Sequence, residues 1–438
     1  MTNFKEKIIS SFLLFENTLK GGLDSKFHEL RLRALNYFKK HGFPTTKDED
    51  WKYTNISPLL KHDYEISSLK KNKVSLSNLK KNLLLEKDTY KLVFVDGVFK
   101  PDLSASSLKK YFICSLSDAK KTHPEILEKH LGKVASFKEN SFCAINTAFT
   151  NQGAFIYVPK DVVVTKPIQI MWLTSNTQKI VFNQPRVLIV AEENARVQIV
   201  ERHQSPFGIN ALSNSVCEVF CNNKSWVDYY KIQNDDKNAS LFDSTYVHQK
   251  KQSVCNITTL SLGGKFTRNY LHFELSEERI EANLNGISLI GKGQFVDHHT
   301  FVDHQSPNCN SNELYKGIFN DNAKGVFNGK VMVRPDAQKT NAFQQNNNII
   351  LTDEASVDTK PQLEIFADDV KCSHGCTIGQ LDKEALFYLQ SRGIARKEAT
   401  ALLLFAFKND VMNHVKIPTL KDKLNKLIAK KLNVSFEL

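Results

Sequence analysis

Three side chains in the stretch PQLEIFADDVKCSHGCTIG, residues 361–379, have the types and spacing for metal or sulfur chemistry: Cys372, His374 and Cys376. In an extended segment side chains alternate between faces, so all three would project from one side of one strand. Thiolate and imidazole favour zinc, iron and iron–sulfur chemistry over magnesium or calcium. The pattern falls short of a zinc finger, because no second Cys-x-x-Cys or His-x-x-x-His pair lies near it. A cysteine in a strand is also commonly a small buried apolar residue. Spacing alone therefore leaves a metal or sulfur role and a packing role both open.

Other groupings are weaker. FVDHHTFVDH, residues 295–304, gathers Asp297, His298, His299, Asp303 and His304. Asp-His-His occurs in metal-dependent phosphoesterases, but there it works with further aspartate motifs that this chain lacks. In a strand, His298 and Thr300 face one way and Asp297, His299 and Phe301 the other, which reads as polar decoration of an exposed or interface face. Cys309, within SPNCNSN, reads as a free thiol in a turn. GISLIGKG, 286–293, follows the phosphate-loop spacing as far as Lys292, then places Gly293 where Ser or Thr must meet magnesium, with no helix after it. It reads as a strand and a turn, and no ATP site is expected. Neither a Gly-x-Ser-x-Gly elbow nor a pair of catalytic carboxylates is apparent.

The elements that must position these residues follow from periodicity. Residues 3–20 and 24–41 read as amphipathic helices, the second opening near Asp24 and ending at His41-Gly42. In PTTKDEDWKYT, 44–54, Trp51 and Tyr53 are spaced to pack on one side of an extended segment. Residues 75–85 and 117–131 read as helical, and 91–95 as a strand with a turn at Asp96-Gly97. From about Gly153, short runs rich in Val, Ile, Phe and Tyr recur for roughly 220 residues, separated by Asn, Gly, Asp and Lys. So many strands crowd an ordinary sandwich and point to a solenoid such as a parallel β-helix. Runs such as Asn346-Asn347-Asn348 fit turns between strands. From Asp382 the helical period returns: one helix to Arg392 with Gly393 after it, a second over 397–413, and a third from Pro418 with an apolar stripe and a lysine face.

The domains expected are a mostly helical region over 1–140, a solenoid core over 141–380 and a helical domain over 381–438. The 438 residues carry a formal net charge of +12, of which roughly +9 lies in 1–140 and about +6 in 383–438. The lysines are scattered and accompany no nucleic-acid motif, so they read as solvated helix faces and docking surfaces, with neither nucleic acid nor membrane as partner. No apolar run approaches the ~18 residues of a membrane span. The first helix carries Glu6 and Glu16 and is not a signal peptide. The eight cysteines are therefore expected as reduced thiols in a cytoplasmic protein, and the sequons at Asn238, Asn256 and Asn433 carry no glycans.

The residues also resemble a family. The run from GVFNGKVMVRPDAQKTNAF through ADDVKCSHG to FYLQSRGI closely resembles the SufB/SufD family of iron–sulfur cluster assembly proteins, in its SufD form. PTTKDEDWKYT, and FCAINTAF at 142–149, are similar to the same family's N-terminal motif and the start of its core. The resemblance implies a right-handed parallel β-helix between N-terminal and C-terminal helical regions. It implies a non-catalytic scaffold that pairs with SufB, or with itself when isolated. It also implies a SufC ATPase held through the C-terminal helices, and transient rather than tightly bound iron or nascent cluster. It places the site at Cys372 and His374. Cys376 departs from the family pattern, which has a small residue there, so it is at most an auxiliary ligand. Asp368 and Asp369 are the nearest candidates to orient His374. Two other classes stay open on the residues themselves: an independent β-helix enzyme acting on polysaccharide, and a purely structural partner-binding protein.

Overall fold

A computed structural model describes residues 4–19, 26–66, 83–85, 87–138, 140–174, 180–205 and 210–432. The chain is mainly β. Among the described residues, twelve strands form one sheet and ten a second, and from Arg186 onward the chain contributes strands to the two in turn. Pairing between successive coils of the stack is parallel. Arg196 lies beside Trp226, Trp226 beside Val254, Val254 beside Glu281, Glu281 beside Asn310, Asn310 beside Asn341 and Asn341 beside Lys371, a coil of roughly 30 residues. This is the expected β-solenoid, flanked by helices at both termini.

One corner repeats in every coil. Asn194, Lys224, Gln252, Arg279, Asn308 and Lys339 all adopt positive φ, between 57° and 61°. Each donates its backbone N–H to a carbonyl of the following coil: Asn223, Lys251, Glu278, Pro307, Gln338 and Asp369 respectively, at 2.6–3.3 Å. The left-handed geometry costs a non-glycine residue roughly 1–2 kcal/mol, and the hydrogen bond offsets about 0.5–1.5 kcal/mol of it.

The N-terminal end of the stack is plugged. In the helix Ser141–Phe149 every residue from Phe142 onward is buried. Asn140 caps it, accepting from the Cys143 N–H at 3.0 Å. Asn146 donates to the carbonyls of Pro185 and Asn214 at 2.8 and 2.7 Å, and Arg186 donates to the Asn146 oxygen at 3.1 Å. Arg186 also pairs with Glu218, both wholly buried. The Glu218 carboxylate accepts from four successive backbone N–H groups, Gly132 to Ala135, at 2.8–3.2 Å. The helices Phe4–Glu16 and Lys26–His41 pack around this plug through Ile8, Phe12, Phe15, Leu35 and Phe38. At the other terminus the helices Arg396–Phe407, Asn409–Met412 and Pro418–Lys431 lie on the outer face of the second sheet. There Leu404, Met412, Leu420, Leu424 and Ile428 meet Tyr230, Leu260, Ile287 and Ile318.

Several expectations change. The helix read over 117–131 is two, Leu116–Thr122 and Pro124–His130, because Pro124 supplies no N–H to continue the first. Asn346 to Asn348 form no turn; they lie in the strand Asn341–Ile350. Asn346 donates to the Tyr315 carbonyl at 3.3 Å and Asn348 to Asn346 at 2.7 Å, so the amides line the interior. Trp51 ends a 3-10 turn, Glu49–Trp51, instead of sitting in an extended segment, and Tyr53 is partly exposed. The helix read over 75–85 lies mostly outside the described residues, and 83–85 are not helical.

Glu218→Ala is expected to destabilise the fold by about 3–5 kcal/mol, because it strands the buried Arg186 charge as well as the four N–H groups. Urea unfolding of both proteins measures this; a change under 1 kcal/mol would contradict the assigned role of the plug.

Candidate functional site

Cys372, His374 and Cys376 lie on the strand Lys371–Gly379, which among the described residues pairs, in parallel, with Asn341–Ile350 alone. In register, Cys372 stands beside Ala342, His374 beside Gln344 and Cys376 beside Asn346. Those three neighbours are buried while Phe343 and Gln345 between them are exposed. The three candidate residues therefore continue the interior face of the solenoid onto its last rung. The partner strand of that rung, Ser356–Ile365, likewise pairs on one side only.

The rung is open. His374 and Cys376 are exposed and Cys372 is half-buried, packed against the end of the solenoid core beside Leu363 and Val370. Burial pushes the Cys372 thiol upward, opposed by a backbone hydrogen bond at Ala342. Cys376 shares a hydrogen bond of 2.6 Å with the Thr359 hydroxyl across the open end. Asp368 and Asp369 are exposed, and the Asp369 backbone bonds to Gln338 and Lys339. Among the described residues no hydrogen bond links either aspartate to His374. No three His, Cys, Asp or Glu side chains among the described residues converge to hold a metal. Cys372 and His374 offer two donors of the right softness, and a full shell needs others from outside the described part of the chain.

Directly inside the rung the interior is polar. Glu313, Gln344 and His374 stack in one register column. Gln344 donates to Glu313 at 3.3 Å and Thr300 donates to it at 2.6 Å. With no cation beside it, burial pushes the Glu313 carboxyl up to about 7. One coil further in, His298 lies between Ser288 at 2.9 Å and Asn269 at 3.2 Å, its pKa pushed down to about 4 by burial. Deeper still, Lys231 donates to Asp243 at 2.8 Å and Thr245 at 2.7 Å, and lies 3.5 Å from Glu201. Sequence reading missed Glu313, Gln344 and Thr359. The available signal was the coil length, which aligns Glu313 and Gln344 under His374.

The Asp297–His304 cluster is not on an exposed face. Asp297, His298, His299, Asp303 and His304 are all buried. The predicted alternation holds, since His298 and Thr300 point inward and Asp297 outward, but the outer face is covered. Arg268 pairs with Asp297 and lies over the Trp51 ring at 3.7 Å, and Thr54 donates to Asp297 at 2.5 Å. Although burial acts to raise it, Arg268 holds the Asp297 carboxyl well below the usual carboxylate range. Asp303 accepts both 2.8 Å bonds of the Arg334 fork. The cluster is a clamp, and it extends to the last rung, where Glu49 pairs with Lys360. Cys309 follows the turn at 306–308 as a free thiol, as read, but it is buried; it donates to the Glu277 carbonyl at 3.2 Å, and burial pushes its thiol up to about 11. GISLIGKG is the strand and turn expected, with Gly286 against Tyr315 and Lys292 at positive φ.

Comparison with known proteins shows the family. The chain matches the family of the SUF system FeS cluster assembly, SufBD core domain, over residues 173–407, and that of the SufBD protein N-terminal region over residues 2–170. It is 30% identical to an iron–sulfur cluster assembly SufBD family protein of Synechocystis, covering 94% of this chain and 92% of that one. It is 27% identical to the iron–sulfur cluster assembly protein SufD of Escherichia coli, over 91% of each chain. It is also 27% identical to SufD of Bacillus subtilis, over 92% of this chain and 93% of that one. The chain belongs to the SufBD family of iron–sulfur cluster assembly proteins.

Two measurements follow. In the folded chain, iodoacetamide is expected to label Cys376 first and Cys372 more slowly, with Cys372 gaining rate as pH rises toward its elevated pKa, because the thiolate is the reactive form. The six buried cysteines should stay unlabelled until unfolding; peptide mapping by mass spectrometry reads the order. Glu313 binds a proton more readily folded than unfolded, so its contribution to stability is present near pH 4.5 and is lost as pH rises through about 7. Glu313→Gln should remove a pH-dependent loss of about 3 kcal/mol between those limits, read by urea unfolding across pH.

Proposed function

We propose that this SufBD family member is a non-catalytic scaffold subunit whose last rung takes part in building the nascent cluster. Iron and the cluster are cargo here. The observation that carries the reading is that Cys372 and His374 share the inner face of a strand whose outer edge is unpaired. Two donors at an open edge form half a coordination shell, and a second subunit that continues the stack supplies the remainder. Open strand edges template the addition of a neighbour's strands. Ile365, Phe366 and Ile378 are large apolar residues left exposed around this edge, as a surface awaiting a partner is. A SufB-like subunit is the partner this arrangement fits, and a second copy of the chain substitutes when it is absent.

Each residue has a role. Cys372 loses its proton to become a thiolate ligand to iron or a carrier of sulfur, which its raised pKa opposes until a cation or a donor approaches. His374 supplies a neutral nitrogen. Cys376, engaged by Thr359, is dispensable. The C-terminal helices are the dock for a SufC-like ATPase, with Phe387 and Tyr388, 73% and 57% exposed on the helix Lys383–Ser391, as contact residues. Movement imposed on those helices reaches the second sheet through the apolar contacts of Leu404, Met412 and Leu424, so nucleotide turnover in the partner can open or close the rung. The complex acts in the cytoplasm.

Reconstituted cluster assembly with SufB and SufC partners tests this. Cys372→Ala and His374→Ala are each expected to lower cluster yield at least about tenfold, the lower end of what a disturbed metal site loses, while the complex still co-purifies. Cys376→Ala should keep its yield. Unchanged yield in both Cys372→Ala and His374→Ala would reject the ligand roles. Loss of co-purification instead would assign those residues to the interface alone.

A further inference from the structure

We propose that the cavity between the helix Lys26–His41 and the short helices Leu116–Thr122 and Pro124–His130 binds a small amphipathic anion. That ligand carries one carboxylate or phosphate on an apolar body, and Arg31 is its buried counter-charge. The cavity measures about 480 Å³, within the ~300–1,000 Å³ common for small-molecule sites. It lies beside the N-terminal plug, at the far end of the solenoid from Cys372.

Arg31 is the unusual residue. It is only 4% exposed, and it lines the cavity. Its Nε and Nη2 donate to the Thr150 carbonyl at 3.1 and 2.7 Å, and its guanidinium lies over the Phe27 ring at 4.5 Å. Its Nη1 is buried with no hydrogen-bond partner, and no carboxylate among the described residues pairs with it. Thr150 follows the helix Ser141–Phe149, so the carbonyl end of that helix offers partial compensation. A helix end is not a counter-ion, and a buried cation without one costs several kcal/mol. Among the protein's other buried cations, Arg186 has Glu218, Arg268 has Asp297 and Lys231 has Asp243, while Lys408 has the amide oxygen of Asn425 for its ammonium. Burial alone pushes the Arg31 guanidinium down to about 10.

The rest of the cavity specifies the ligand. Phe27, Leu30, Leu127 and Leu131 give it apolar walls. Lys120 and Lys133 stand at its mouth, and Lys120 feels the Arg31 charge. Lys26 is engaged by Glu128 at 3.8 Å, and Glu29 is the other acid on the rim. Excess positive charge over an apolar pocket selects an anion with an apolar body. A bare ion leaves the walls wet, and a neutral chain leaves Nη1 unpaired. Gly132 and Lys133 belong both to this cavity and to the N–H cradle held by Glu218, so occupancy also braces the plug.

The test is calorimetric titration of the full-length chain with decanoate, decyl phosphate, decanol, decyltrimethylammonium and inorganic phosphate. Decanoate, decyl phosphate or both should bind at least about tenfold more tightly than decanol, the cation and inorganic phosphate, a gap worth one charge-assisted hydrogen bond. The decyl anion that binds tells a carboxylate source from a phosphate source. Lys120→Glu, at an exposed position, and Arg31→Met should each weaken that anion at least about tenfold with circular dichroism unchanged. Should Arg31→Met fail to fold, Lys120→Glu decides alone. The proposal is overturned if neither decyl anion binds up to about 2 mM, if decanol or inorganic phosphate binds as well as they do, or if the folded variants bind unchanged.

Discussion

A stack of parallel coils satisfies its backbone only by having a neighbour on each side, so its two ends decide what the molecule can do. Here they are treated in opposite ways. At the N-terminal end the antiparallel strand Phe112–Ser115 covers Ala154–Val158, and a wholly buried helix with its Asn146, Arg186 and Glu218 network closes the opening. At the C-terminal end nothing among the described residues covers Ser356–Ile365 or Lys371–Gly379 on their outer sides. Isolated proteins blunt such edges with charge, proline or a covering element, because open edges aggregate. Two adjacent edges are left open here, with a thiol and an imidazole on the inner face, and the proposal that another subunit completes this one rests on them.

The interior and exterior of the stack both lead toward that end. Inside, hydrogen-bonded polar groups run from Glu201 and Lys231 through Gln233 and Asn269 to His298, and again from Thr300 through Glu313 to Gln344 beneath His374. A dry interior tolerates such groups only when nearly all have partners. That requirement fixes the register of the last coils more narrowly than apolar packing would. Outside, the segment around Trp51 and Thr54 grips Arg268 and Asp297 and reaches Lys360 through Glu49. A short N-terminal motif thus braces three coils, the last of them the rung that carries the candidate ligands.

What could be read from the residues followed the range of the interaction involved. The alternation of Cys372, His374 and Cys376 is local, and it placed all three on one face correctly. The solenoid showed in its short β-branched runs. Strand lengths did not, because interior positions such as Gln344, Asn346 and Thr300 are polar and interrupt the apolar pattern. The Asp297–His304 cluster read as a surface because the segment that covers it lies more than two hundred positions earlier. The burial of Cys309 was hidden for the same reason, since its partner Glu277 belongs to the previous coil. Arg31 was lost in a basic flank whose lysines read as solvated helix faces and docking surfaces, although burial follows from its helix facing the plug. That the last strand lacks an outer neighbour among the described residues is a property of the whole stack, and no window of residues contains it.

The left-handed corner that recurs from Asn194 to Lys339 makes each coil start and finish in the same backbone geometry, held by the same bond to the next. Such a unit is modular. A coil can be gained or lost whole, as tandem duplication or deletion would do, without disturbing the joint on either side. The distance between the capped base and the open last rung is then set by the number of coils alone.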